Sequence, residues 1–284
     1  MPVSHFNFAR LACYPAPARL GIFVLVLLLL WLPIAASIYW AWGASNTVSI
    51  ITMLALYSEF VLLLRVWGQK VHQQTQPLKS HGLVGTRNNW WELLKGLGVG
   101  LLSLFCLFLF EGGLGWLTWQ PTTQFLPKIM LEGLSVALGV GLAEELLFRG
   151  WLVDELQWDY GPKVALWISS TSYALLHFIK PWAEVLRTLP SFPGLLLLGL
   201  TLGWARQAHK GRLGSPIGLH AGLVWGYYII NMADLVRYSD QVPVWITGID
   251  KNPLAGGVGL MFLSLLALSL RLIPSVWGQG DAPK

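Results

Sequence analysis

Apolar residues recur in unbroken runs along this chain, at roughly 20–41, 47–66, 97–119, 128–152, 163–180, 192–206, 216–233 and 255–273. Neither strand alternation nor a narrow amphipathic stripe describes them; they are apolar around the whole helix, and most approach the ~20 residues needed to cross a bilayer. Turn-forming residues separate them: Gly161 with Pro162, Pro181, Pro190 with Pro193, Gly214 with Pro216, then Pro243 and Pro253. The pattern predicts an all-α integral membrane protein, a bundle of about eight transmembrane helices. The longest polar connection, about residues 67–95, is too short and too poor in core residues to form a second domain. A division follows into an N-terminal membrane region with three spans (1–127), a core (128–233), and an outside loop with the last span (234–284).

Composition agrees with a bilayer as solvent. Hydrophobic residues make up 55% of the 284 and charged residues 12%, about half the charged share of a soluble domain. The net charge of +5 comes without a basic tract, so no nucleic-acid partner is expected. With the N-terminus inside, the cytoplasmic set holds Arg10, Arg19, Arg65, Lys70, Lys79, Arg87, Lys95, Lys163, Arg206, Lys210, Arg212, Arg271 and Lys284, and the outer set only Lys128, Lys180, Arg187, Arg237 and Lys251. That asymmetry predicts a multi-pass protein with both termini cytoplasmic. Two cysteines, Cys13 and Cys106, supply neither a disulfide framework nor a zinc ribbon. Leu11, Ala12 and Cys13 lack the preceding apolar stretch of a lipoprotein signal.

Ionisable side chains within a span are costly and become functional candidates. They are Glu59, Glu111, Glu144, Glu145, Arg149, His177 and His220. Glu59 and Glu111 have no partner that spacing identifies and are read as structural. In AEELLFRGWL, Glu145 and Arg149 are i, i+4 neighbours that can pair, while Glu144 points about 100° away and stays available. Glu144 lies 16 residues before Tyr160 and His177 lies 16 after Gly161, so an antiparallel hairpin brings them to equal depth. Ser169, Ser170 and Ser172 are small enough for close helix approach, as are Gly218 and Gly222 around His220. Depth poses a problem: Glu144 and His177 stand about 24 Å from their turn, whereas His220 is a few residues from its loop. Convergence requires the hairpin tip, with Asp154, Glu155 and Asp159, to project beyond the membrane.

Glu-Glu-x-x-x-Arg at 144–149, then Tyr173-x-x-x-His177, then His220 on a later span resembles the CPBP intramembrane protease family, which includes the CAAX prenyl endopeptidases and the bacterial Abi group. The resemblance covers about 128–233. It implies an endopeptidase of the glutamate type, free of metal and cofactor, cutting a protein or peptide substrate near the bilayer surface. Glu144 would be the general base, His177 its partner on the water, Glu145 and Arg149 orienting groups, and His220 an oxyanion donor. Two positions depart from the pattern: Tyr173 replaces Phe, and Val224 stands where His-x-x-x-Asn would place an amide. Asn231 is about 16 Å further along the helix, too far to substitute. Three other readings stay open: a catalytically impaired membrane scaffold or immunity-type binding protein, a zinc site of Glu144, His177 and His220, and a proton-coupled transporter.

Overall fold

The computed structural model describes residues 7–272; Lys284 and residue 273, the last of the final expected span, lie outside them. Eight long helices follow one another: α1 (Ala16–Trp42), α2 (Asn46–Lys70), α3 (Arg87–Gly113), α4 (Leu126–Glu144, continuing without a break to Gln157), α5 (Pro162–Leu176), α6 (Phe192–Ala208), α7 (Gly214–Met232) and α8 (Gly257–Arg271). The fold is all-α and membrane-like, and each expected apolar run falls mainly on one helix. Among the described residues, five stretches are long and apolar enough to cross a membrane: 16–42, 46–70, 87–113, 126–157 and 182–208. The expected count of eight crossings is therefore not reached by length and composition. α5 and α8 have 15 residues each, about 22 Å. α7 has 19 residues but is rich in Gly and lies buried along most of its first three turns. A helix enclosed by other helices needs no lipid-compatible surface.

The third helix departs furthest from expectation. It starts ten residues before the expected 97, because the Thr86 hydroxyl accepts from Asn89 N–H and caps the first turn. It stops at Gly113, six residues before the expected 119, and the chain reverses at Gly115 with φ +74°. Beyond it, β1 (Leu117–Trp119) pairs antiparallel with β2 (Val236–Tyr238), Leu117 opposite Tyr238. This ribbon ties the chain leaving α3 to the chain leaving α7. The Tyr238 hydroxyl donates to Glu111 Oε2 at 2.9 Å, so Glu111, fully buried, anchors the ribbon from inside α3.

α7 is the axis of the bundle, packed against α3, α4 and α6. Its seam with α3 is a contact of backbones. A Cβ added at Gly218 would stand 2.0 Å from Leu93 O, and one at Gly100 would stand 2.4 Å from Leu219 O. Gly96 and Gly222 meet the opposite backbone in the same way. Both helices thus carry Gly-x-x-x-Gly faces, the arrangement that lets helices approach closely where lipid provides no hydrophobic drive. On the far side, Gly199 of α6 approaches Ser170 of α5.

α1 and α2 form a hairpin beside this core, with Leu25, Leu29, Leu32, Met53 and Leu62 exposed on its outer face, as expected of side chains turned to lipid. Its polar end is held by charge. Arg19 pairs with Glu155 and Asp159, and His72 Nε2 lies 2.9 Å from Glu155 Oε2. Next to it, Asp154 receives Arg206 at 2.7 Å and His81 at 2.8 Å. Two consecutive carboxylates on the turn 153–157 therefore secure four separate segments.

Candidate functional site

The expected site residues Glu144, Glu145 and Arg149 sit where α4 changes its winding. From Glu145 to Leu152 the helix is π-helical, with i→i+5 hydrogen bonds and a wider turn, a form frequent at functional sites. Neighbouring helices reach its carbonyls. Ser169 Oγ of α5 donates to Phe148 O at 2.7 Å, and Arg206 of α6 donates to Arg149 O. Because Arg206 also holds Asp154, the segment is fixed at its carbonyls and at its end.

Glu145 is fully buried and accepts on one oxygen from two donors, Arg149 Nη1 at 2.9 Å and His220 Nδ1 at 2.8 Å. The pairing with Arg149 is the one expected from spacing; the bond to His220 is not among the expectations. Arg149 also lies over the ring of Tyr173, 4.3 Å from guanidinium carbon to centroid, a cation–π contact strengthened by burial. A carboxylate can only accept, so His220 carries a proton on Nδ1 and turns Nε2 the other way. Nε2 then faces Glu144 Oε2 at 3.8 Å, beyond direct hydrogen bonding. That Glu144 oxygen is buried and has no hydrogen-bond partner among the described residues.

Glu144, His177, His220 and Val224 line one cavity of about 360 Å³, between α3, α4, α5, α6, α7 and α8. Leucine is the commonest residue of its walls, with Asn252 and Lys180 among the polar contributors. His177 bonds Tyr173 O through Nδ1 at 2.8 Å. That contact likewise fixes the Nδ1 proton and leaves Nε2 free to accept. Equal distance from the turn therefore brings Glu144 and His177 to the same cavity, but the imidazole nearest Glu144 is that of His220. Among the described residues, no group of three or more His, Cys, Asp and Glu is arranged to hold a metal ion.

His220 bonds Glu145 although the two stand at different distances from the ends of their helices. His220 is the seventh residue of α7, about 9 Å from its start, while α4 runs on about 18 Å beyond Glu145. The excess is the turn 153–157, which projects past the start of α7 and is covered there by Arg19, His72, His81 and Arg206. Three features escaped sequence reasoning: the π-helical segment, the Glu145 to His220 bond, and the glycines of α3 that bring α7 close. The last had a visible signal, Gly96-x-x-x-Gly100, matching Gly218-x-x-x-Gly222.

Residues 126–226, just over a third of the chain, match the family model described as type II CAAX prenyl endopeptidase Rce1-like. No curated protein and no solved structure matches the chain.

Proposed function

We propose, from a core region that belongs to the CPBP/CAAX family of membrane proteases, that this protein is an endopeptidase hydrolysing a peptide bond near the bilayer surface. The observation that carries the reading is the unpartnered, buried Glu144 Oε2 facing His220 Nε2 across 3.8 Å at the cavity. Such a gap suits a water molecule held by both groups. Glu144 takes a proton from that water as its oxygen attacks the scissile carbonyl carbon, His220 Nε2 accepts the second water hydrogen as a positioning bond, and His177 stands at the same cavity. The carbonyl electron pair becomes an oxyanion. The proton then passes to the amide nitrogen as the C–N bond breaks, yielding a carboxylate and an amine. Glu145 and Arg149 act as positioning residues, since their contacts fix the tautomer and the angle of His220 rather than touching the reacting atoms. The basic end, where α1 starts and α6 and α8 end, faces the cytoplasm in this reading.

Glu144→Gln keeps the side-chain volume and removes the base. Purified protein carrying it is expected to fold as the wild type does and to lose cleavage of a membrane-protein or peptide library, while a chelator leaves the wild type active. Retained cleavage in the variant overturns the assignment. One observation favours a second reading: Val224 lines the cavity and offers no hydrogen bond to an oxyanion. A folded wild type with no cleavage, whose partner capture survives Glu144→Gln, supports a binding scaffold instead.

A further inference from the structure

A second cavity, of about 490 Å³, opens at the basic end of the bundle where α5 begins and α6 and α8 end. It shares no lining residue with the cavity at Glu144, and its argument is independent of the peptidase reading. Lys163 and Arg271 supply its charge, Gln207 a polar group, and Trp167, Trp204 and Leu200 apolar wall. Among the described residues, no Asp or Glu lines it.

The two cations are set apart by their place beside an indole-lined cavity, since other cations at this end, Lys70 and Lys79 among them, also have no carboxylate partner among the described residues. Arg19, Arg149, Arg206 and Arg212 are each paired with a carboxylate. Among the described residues, Lys163 and Arg271 are not, and both are exposed. Arg271 instead stands over the Trp204 ring, 5.6 Å from its centroid, which holds the guanidinium beside the cavity. Trp167 is half exposed next to it, at the level where indoles favour the membrane–water boundary. Unneutralised cations above an apolar wall, at the end of three helices, complement an amphiphile with an anionic head. Basic pockets between transmembrane helices take acidic lipid headgroups by this chemistry.

We propose that this cavity binds an anionic phospholipid, with Lys163 and Arg271 on the phosphate and Trp167, Trp204 and Leu200 against the glycerol and the first methylenes of the chains. Native mass spectrometry of the full-length protein, titrated with phosphatidylglycerol or with phosphatidylcholine of the same chains, tests it. Wild-type protein is expected to retain one phosphatidylglycerol at concentrations about 30-fold lower than Lys163→Gln/Arg271→Gln, as two surface cations imply. Lys70→Gln/Lys79→Gln, removing two cations elsewhere at the same end, is expected to behave as wild type. Equal retention by the wild type and Lys163→Gln/Arg271→Gln overturns the proposal, as does phosphatidylcholine held as tightly as phosphatidylglycerol. Displacement of the lipid by an equal concentration of inorganic phosphate also overturns it, because the site then selects a bare anion.

Discussion

Gly218→Ala adds one methyl group where the α3 and α7 backbones touch, and its effect follows from the coordinates. The new Cβ would stand 2.0 Å from Leu93 O and 2.8 Å from Leu97 N. Ordinary contact begins near 3.4 Å, so the two helices must part locally by about 1.4 Å, the difference between 3.4 and 2.0 Å, and both partners are backbone that no rotamer change can clear. Overpacking of this kind costs about 1–3 kcal/mol. His220 follows two residues later on the same helix, and its 2.8 Å bond to Glu145 stretched by that amount is no longer a hydrogen bond. Activity is therefore expected to fall even at temperatures where the variant remains folded. Gly98→Ala is the control: it lies between Gly96 and Gly100 on α3, its Cβ would meet nothing within 4 Å, and Ala is favoured over Gly in a helix by about 0.5–1 kcal/mol. Thermal unfolding in one detergent, with cleavage rates taken well below both transitions, compares the two. Gly218→Ala unfolding at or above the temperature of Gly98→Ala would refute the close-approach argument.

Removing Arg149 leaves the Glu145 carboxylate buried with His220 as its one remaining partner, so Arg149→Leu is expected to cost about 3–5 kcal/mol and Glu145→Gln/Arg149→Leu less; a double variant no more stable than the single contradicts this. Glu155→Gln weakens the hold on Arg19 and His72, and limited proteolysis is expected to cut between α2 and α3 faster than in wild type, an unchanged rate arguing against the clamp. Burial, and after it the Glu111 carboxylate, push the Tyr238 phenol above its ordinary value. The stability carried by the neutral phenol is then complete below about pH 10, the unfolded value, and drains away as pH rises toward the folded one. Tyr238→Phe should flatten part of that alkaline fall in melting temperature, and an identical fall in the variant removes Tyr238 from the account.

The helices were legible because each is written as a continuous apolar run, and Glu145 with Arg149 because i, i+4 geometry survives the change to π winding. What stayed hidden depends on contacts between distant segments. Nothing near residue 117 announces a strand whose partner lies at 236–238. The ten polar-rich residues from Arg87 to Gly96 read as loop because their surroundings, Asn89 against Gly214 and Glu92 against Arg212, belong to another part of the chain. Sequence distance placed Glu144 and His177 in one cavity, yet the choice between two imidazoles rests on the approach of α7, which the α3 glycines decide.

Arg19 and Glu155 are 136 residues apart, so the partner of the first charged residue in α1 does not exist when α1 is made. At about 5–20 residues per second, the ribosome needs about 7 to 27 s to deliver it. During that interval the α1–α2 hairpin is complete but unmoored, and the guanidinium can remain hydrated only because it sits in the first turn of α1 rather than at mid-depth. Assembly is consequently timed from the far side: the projecting turn 153–157 has to emerge before the first hairpin can dock, which makes that turn a checkpoint in biogenesis as well as a brace in the finished bundle.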